Sequence, residues 1–395
     1  MIAHIIFWIC ISLLIYSYLL YPLFVRLLYQ LSTQKSTIPT SYDPRVFVLI
    51  AAHNEASVIV EKLESIDSND YPTEQVFIYL GSDNSTDATN QLVMDFQSKS
   101  KYEIYFQIMK QRSGKIGTIN SLYKKILDTH EINEDDVFIL TDADVMLRPN
   151  TIQKLVRHFR NAKIGVVDTQ IINELDERKS VSKSESNYLS KEVQLKYYEG
   201  QIFGKLMGTF GGCFAIRASC FKIIPEHFKV DDFYLTMHTL TLGYKAVSDP
   251  QAICTGKVLS TYSEEFKRKR RMSSGNFQNM AVYKQYILPF TTLGFVFFSH
   301  KVIRYIGPFL MLGMLFTSAY LAYAGSQLMQ FLLLGQVFWY LLIPLLDKIC
   351  EKLGLNLLAL RNVSYFNYMN LALLLGFKDY MNGIESNIWE PTKRS

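Results

Sequence analysis

The sequence predicts an α/β domain, a mostly parallel sheet covered by helices on both faces and flanked by apolar segments suited to a bilayer. Three observations carry that reading. Residues 46–260 alternate short β-rich runs with amphipathic segments, the pattern of strand–helix–strand units. Both ends hold long stretches without charge. Acidic residues follow three of the predicted strands directly, at the carboxyl ends where open α/β sheets bind ligands.

The composition agrees. Of 395 residues, 49% are hydrophobic and 19% charged, the latter below the roughly 25% usual for soluble domains. The mean hydropathy of +0.07 is an average over segments made for different solvents. The 25 Tyr and 26 Phe exclude a disordered chain. Five cysteines without a Cys-x-x-Cys pair or zinc spacing read as reduced, mostly buried thiols and exclude a disulfide framework.

Taken in order, residues 1–28 form an anchor. From Ile5 to Val25 there is no charge, enough helix to span a ~30 Å hydrocarbon core at ~1.5 Å per residue. The basic start and small-residue cleavage site of a signal peptide are missing. Arg26, Lys35 and Arg45 follow the span, which predicts an external amino terminus and an internal bulk of the chain.

Residues 42–260 form the α/β domain. Strands are predicted over Val46–Ala52, Val76–Gly81, Ile104–Met109, Val137–Thr141 and Ile164–Ile172, and helices over Ser57–Ile66, Asp87–Phe96, Lys115–Leu127 and Thr151–Phe159. The Ser-rich stretch Ser180–Ser190 reads as a mobile loop. Residues 261–303 combine the basic run Lys267–Arg271 with an apolar stretch, 287–298, too short to span, read as a helix lying along the membrane surface. Residues 304–347 are uncharged between Arg304 and Asp347 and accommodate two spans joined near Gly325. Residues 353–378 form a third membrane segment, spanning or re-entrant, and 379–395 a tail.

The strand ends carry the chemistry. Ala52-His53-Asn54-Glu55 follows the first strand, Ser82-Asp83-Asn84-Ser85-Thr86-Asp87 the second and Asp142-Ala143-Asp144 the fourth. A single such carboxylate is most often a helix cap, and Asp87 fits that role. Three in register call for a cation or a hydroxyl-rich ligand. Asp142-x-Asp144 offers two hard oxygen ligands for Mg2+ or Mn2+, completed by phosphate oxygens. Asp83-x-Ser85-x-Asp87 is not a calcium loop, because Ala88 and Met94 stand where glycine and the bidentate glutamate are needed. Neither a P-loop nor a Gly-x-Gly-x-x-Gly fingerprint occurs.

These motifs, in this order, resemble the membrane-bound family 2 glycosyltransferases, relatives of bacterial polysaccharide synthases and exopolysaccharide transferases. The matching set continues with Gly114-Lys115 and Asn120, Gly211-Gly212 and Arg217, Asp231-Asp232-Phe233, Arg268–Arg271 with Gly275, and Trp389–Arg394. The resemblance implies a GT-A fold, a Rossmann-like nucleotide-sugar domain between transmembrane helices. It implies an inverting transfer from a nucleotide-sugar donor, a UDP-sugar by family habit, to a lipid-linked or glycan acceptor, with Mg2+ or Mn2+ as cofactor. Glu55 and Asp83 would hold base and ribose, Lys115 the uridine or its phosphates, Asp142 the ribose and metal, and Asp144 the metal. Asp232 would be the general base, with Gly211, Gly212 and Asp231 on the acceptor side. Arg268 and Arg271 would bind the nucleotide-sugar, Arg271 facing the diphosphate; Arg268 stands where processive members carry glutamine, and Met272 where they carry the acceptor-stacking tryptophan.

That departure and the small number of spans favour addition of one or a few sugars over processive synthesis. A non-catalytic membrane scaffold is disfavoured by the near-complete acidic set. The expected site of action is the bacterial inner (plasma) membrane, with the catalytic domain cytoplasmic and with room for partner subunits or an oligomer. Between Gly256 and Arg304 lie nine Lys/Arg and two acids. The basic balance is thus one local strip, suited to diphosphate and anionic lipid, and no nucleic-acid partner is expected.

Overall fold

The computed structural model describes residues 1–32, 42–174, 180–257, 262–355 and 357–383. It divides into two compact units. One takes in Leu28–Leu175 and Glu192–Val258, the other Met1–Leu27, Asp176–Lys191 and Leu259–Gly383.

The first unit is built on an eight-stranded sheet. Its strands are β1 (Val46–Ala52), β2 (Val76–Ser82), β3 (Glu103–Ile108), β4 (Val137–Asp142), β5 (Val145–Leu147), β6 (Ile164–Glu174), β7 (Cys213–Arg217) and β8 (Lys245–Lys257), in the order β3-β2-β1-β4-β7-β6-β8-β5. The four strands β1 to β4 are mutually parallel, as the sequence predicts, and β6 pairs parallel with β8. The sheet is nevertheless mixed, since β7 runs against both its neighbours, β4 and β6, and β5 against β8.

Strand β1 is buried along its whole length and β4 along nearly all of it, which explains their unbroken apolar runs in place of alternation. On one face Val48, Ile50, Ile78 and Ile139 meet Ile59, Leu63 and Ile66 of helix Ile59–Asp67 and Leu155 of helix Thr151–Val156. The predicted helices form within a few residues of expectation: Ile59–Asp67, Thr89–Gln97, Gly114–Thr129 and Thr151–Val156.

Strands β5, β7 and β8 escaped the sequence reading. β8 contains Pro250, which lacks a ladder donor. Its pairing with β6 shifts there, from Asp168 opposite Ser248 to Gln170 opposite Ile253, so the intervening residues bulge out. The stretch Ser180–Ser190 is a correction: it belongs to a 24-residue helix, Ser180–Phe203, whose backbone the serines do not break.

The second unit is helical. Among the described residues, three helices are long and apolar enough to cross a membrane: Ile2–Leu31, Thr292–Tyr323 and Gln327–Lys352. Phe7 and Cys10 of the first pack with Met314, Leu321 and Met329, and the Ser17 hydroxyl donates to the Ser299 carbonyl at 2.8 Å. Outward-facing Phe316, Leu328, Phe331, Leu334 and Leu341 form the kind of apolar surface that lipid covers. The stretch 287–298 is divided rather than forming its own surface helix. Thr291 caps a helix start by accepting from the Gly294 amide at 3.0 Å, and Thr292 onward joins the following span. Helix Leu358–Met381, within which most of the third predicted segment falls, is not among the three apolar ones. It lies along helix Tyr262–Val282, with Arg270 bonded to Asp379 at 2.6 Å and the Ser273 hydroxyl donating to the Leu373 carbonyl at 3.0 Å. All five cysteines are free, four of them buried.

Gly81 in β2 faces helix Gly114–Thr129 with no room for a side chain. A Cβ there would clash with Thr118 Cγ2 of that helix. Gly81→Ala is expected to destabilise the α/β unit by about 1–3 kcal/mol through overpacking, read as a lower unfolding midpoint. An unchanged midpoint would contradict this packing.

Candidate active site

The register of the sheet gathers the strand ends. Ala51 of β1 lies between Gly81 of β2 and Asp142 of β4, so the segments after the three strands open onto one edge. Asn54 and Asn84 turn the chain there with positive φ, 55° and 54°, values Asn tolerates better than most residues. The Asn54 side-chain oxygen accepts from the Thr86 amide at 2.8 Å and His53 Nδ1 lies 2.8 Å from the Asp83 carbonyl oxygen. These bonds tie the first two segments together.

Two of the acidic residues serve this framework. Asp83 is fully buried and accepts from the Ser113 amide at 2.6 Å, the Gly114 amide at 3.0 Å and Arg112 Nε at 3.1 Å. It therefore caps helix Gly114–Thr129, where a negative charge also favours the positive end of the dipole. Asp87 accepts from the Ala56 and Thr89 amides at 3.1 and 3.0 Å and from the Thr89 hydroxyl. Burial alone would raise the Asp87 carboxyl, but these donors hold it below the usual carboxylate range. Glu55 is half-buried beside it, its amide donating to the Thr89 hydroxyl at 2.9 Å.

Lys115, from the first turn of the helix that Asp83 caps, draws the remaining groups together. Its ammonium lies 2.8 Å from Asp142 Oδ1 and 3.1 Å from Asp231 Oδ2, and it donates to the Gly211 carbonyl at 3.3 Å. Burial disfavours that charge, yet the two carboxylates outweigh it and keep Lys115 firmly protonated. Asp144 is half-buried in the turn between β4 and β5.

The loop before β7 closes the site. The Gly212 carbonyl accepts from the Asp142 amide at 2.9 Å and from the Thr141 hydroxyl at 3.1 Å. A Cβ on Gly211 would stand 3.2 Å from Asp232 Cγ, so glycine here lets the backbone approach that carboxyl. Asp231 and Asp232 open helix Asp231–Thr241. Burial first, and the Asp231 charge second, push the Asp232 carboxyl up to about 7, against the opposing pull of Lys115 and Lys196. A carboxyl titrating there can take up a proton near neutral pH.

Sequence reasoning missed one buried pair. Asp168, inside β6, accepts from Lys196 Nζ at 2.8 Å and from the Phe210 amide at 2.6 Å. Burial raises the Asp168 carboxyl, opposed by Lys196. The signal available was an aspartate within a run of β-branched residues. Arg268 and Arg271 stand on helix Tyr262–Val282 of the other unit, where Arg268 pairs with Glu265 at 3.1 Å. Trp389–Arg394 lies outside the described residues. Among the described residues no three His, Cys, Asp or Glu side chains form a ready metal-binding group. Asp142 and Asp144 supply two hard oxygens, so a divalent ion there needs the rest of its ligands from a bound molecule and water.

Known proteins resemble this chain in sequence and fold. The family model described as glycosyl transferase family 2 matches residues 47–224, and that of glycosyl transferase family group 2 matches residues 137–376. The probable glycosyltransferase YdaM of Bacillus subtilis is 25% identical over 247 residues, 59% of this chain and 55% of its own. A beta-monoglucosyldiacylglycerol synthase of Nostoc is 24% identical over 149 residues, 38% of this chain and 29% of its own. The matches thus span about half the length of these relatives or less. A mannosyltransferase from Pyrobaculum calidifontis, solved in complex with GDP-Man and Mn2+, shares the fold over 95% of this chain and 99% of its own, with a TM-score of 0.69 at 18% identity. With its GT-A architecture and the family models covering sheet, crevice and helical unit, the chain belongs to the family 2 glycosyltransferases.

Proposed function

We propose that the chain is an inverting, metal-dependent glycosyltransferase that moves a sugar from a nucleotide donor, a UDP-sugar by family resemblance, to a membrane-associated acceptor in cell-surface glycan or glycolipid synthesis. One observation carries the reading. The Lys115 ammonium joins Asp142, at the end of β4, to Asp231, beside a carboxyl that titrates near neutrality.

Asp142 and Asp144 form the donor side, with Glu55 and the Asp83-anchored Arg112–Gly114 segment around the nucleoside. A divalent cation held by Asp142, Asp144 and the diphosphate oxygens would neutralise the charge that develops on the leaving group. Lys115 adds a second positive charge at the same place. On the acceptor side, Asp232 takes the proton of the acceptor hydroxyl as that oxygen bonds to the anomeric carbon. The bond from that carbon to the diphosphate oxygen breaks, and the nucleoside diphosphate leaves with the electron pair. Attack opposite the leaving group inverts the anomeric centre. Arg268 and Arg271 are assigned to the diphosphate and to anionic headgroups. The three apolar helices support a membrane location, and the positive charge following the first supports a cytoplasmic α/β unit.

The direct test offers purified, detergent-solubilised protein a panel of UDP- and GDP-sugars with Mn2+ or Mg2+ and a lipid extract, and measures nucleotide release. Asp232→Asn is expected to lower transfer at least ~100-fold while donor binding and the unfolding midpoint stay near those of the unaltered protein. Near-normal transfer by this variant would remove the base assignment. The pH profile supplies an independent check. The raised carboxyl is protonated, and so unable to accept, below about 7. Transfer should therefore climb as pH rises through about 7 and level off above it. A profile flat from pH 5.5 to 8.5 contradicts the assignment.

A further inference from the structure

Lys62 sits where an apolar residue is the default. It lies on helix Ile59–Asp67, whose inward face is otherwise Ile59, Leu63 and Ile66, and like them it is 0% exposed. Removing an ammonium from water is costly unless its donors are satisfied, so what it touches defines what it is for. Its Nζ donates to the Thr141 hydroxyl at 2.7 Å and to the Val145 carbonyl. Those two residues bracket Asp142-Ala143-Asp144. The Thr141 hydroxyl passes the connection on, donating to the Gly212 carbonyl that also receives the Asp142 amide.

We propose that Lys62 is a positioning residue for the donor site: from inside the core it clamps both ends of the Asp142-Ala143-Asp144 turn, so that the two carboxylates are held ready for a cation and diphosphate. The inference rests on the donor-site reading above. The strand that follows the turn, β5, is only three residues long and pairs with β8. Without the ammonium, the Thr141 hydroxyl and Val145 carbonyl lose their common donor and the turn loses its reference to the helix behind it. Because Lys62 faces the core, it reaches no substrate and acts only through the turn. Burial draws the Lys62 ammonium down to about 8, in keeping with a group retained against its solvation preference.

The test uses the full chain in detergent, without turnover. Lys62→Met replaces the ammonium by an apolar side chain of similar length; it keeps the core apolar but leaves two buried acceptors without their donor, so a lower unfolding midpoint is expected. Mn2+ binding in the presence of UDP or GDP, followed by electron paramagnetic resonance, is expected to weaken about 10–100-fold, the usual cost of losing a group that orients metal ligands. Amide exchange over Asp142–Val145 in the ligand-free protein should accelerate, as local opening becomes easier, and by more than in the strands β1 and β2 of the same sheet. Should Lys62→Met fail to fold, Thr141→Val removes one of the two acceptors and should shift both readouts in the same direction by less. Unchanged Mn2+ affinity together with unchanged exchange overturns the proposal. If the unaltered protein binds no Mn2+ with either nucleotide, the donor-site reading falls and the metal role of Lys62 with it, and exchange at the turn then reports its backbone role alone.

Discussion

One ammonium group holds the crevice together. Lys115 contacts Asp142 at 2.8 Å, Asp231 at 3.1 Å and the Gly211 carbonyl at 3.3 Å, and so links the end of a parallel strand, the start of a helix and the loop that precedes an antiparallel strand. Without that cation, two carboxylates would face each other across a partly dry space, and like charges at such range repel. Its position follows from another interaction, since Asp83 caps the helix whose first turn carries Lys115. A strand-end aspartate thus acts on the crevice at one remove, by fixing where the helix begins.

The loop Phe210–Gly212 is the second element on which the arrangement depends. Asp168 holds the Phe210 amide, Lys115 the Gly211 carbonyl, and Asp142 and Thr141 the Gly212 carbonyl. Asp232 lies against the bare α-carbon of Gly211. Antiparallel β7 makes this possible: it brings the loop to the same edge as the carboxyl ends of β1, β2 and β4. A fully parallel sheet would leave that place to a strand-to-helix connection of a different kind. The mixed topology is therefore a condition of the site.

Much of this is legible in the sequence. The apolar runs Val46–Ala52 and Val137–Thr141 announce buried parallel strands, and the acids after them fall at the predicted edge because register follows from parallel pairing. Lys115, Asp231 and Asp232 are identifiable from motif resemblance. What could not be read is which acids face the crevice and which face the protein. Asp83 and Asp142 both follow a strand, yet Asp83 caps a helix that begins thirty-one residues later at Gly114. Lys62 and the Asp168–Lys196 pair were invisible for a related reason: a buried charge interrupts a hydrophobic pattern only once, and its partner lies far along the chain. Pro250 hid β8 because it belongs to a bulge, which local propensity reports as a break. The start of the second apolar helix at Thr292 depended on one side-chain cap, a detail that hydropathy does not resolve.

In the proposed reaction Lys115 serves both halves of the site at once, binding the donor and setting the base. The most direct measurement is the pH dependence of transfer by Lys115→Met, recorded together with UDP and GDP affinity. Lys115 lowers the Asp232 carboxyl, so its removal should move the acid limb of the profile to higher pH and weaken nucleotide binding in the same variant. An acid limb at its original pH with unaltered nucleotide affinity would rule out that dual role.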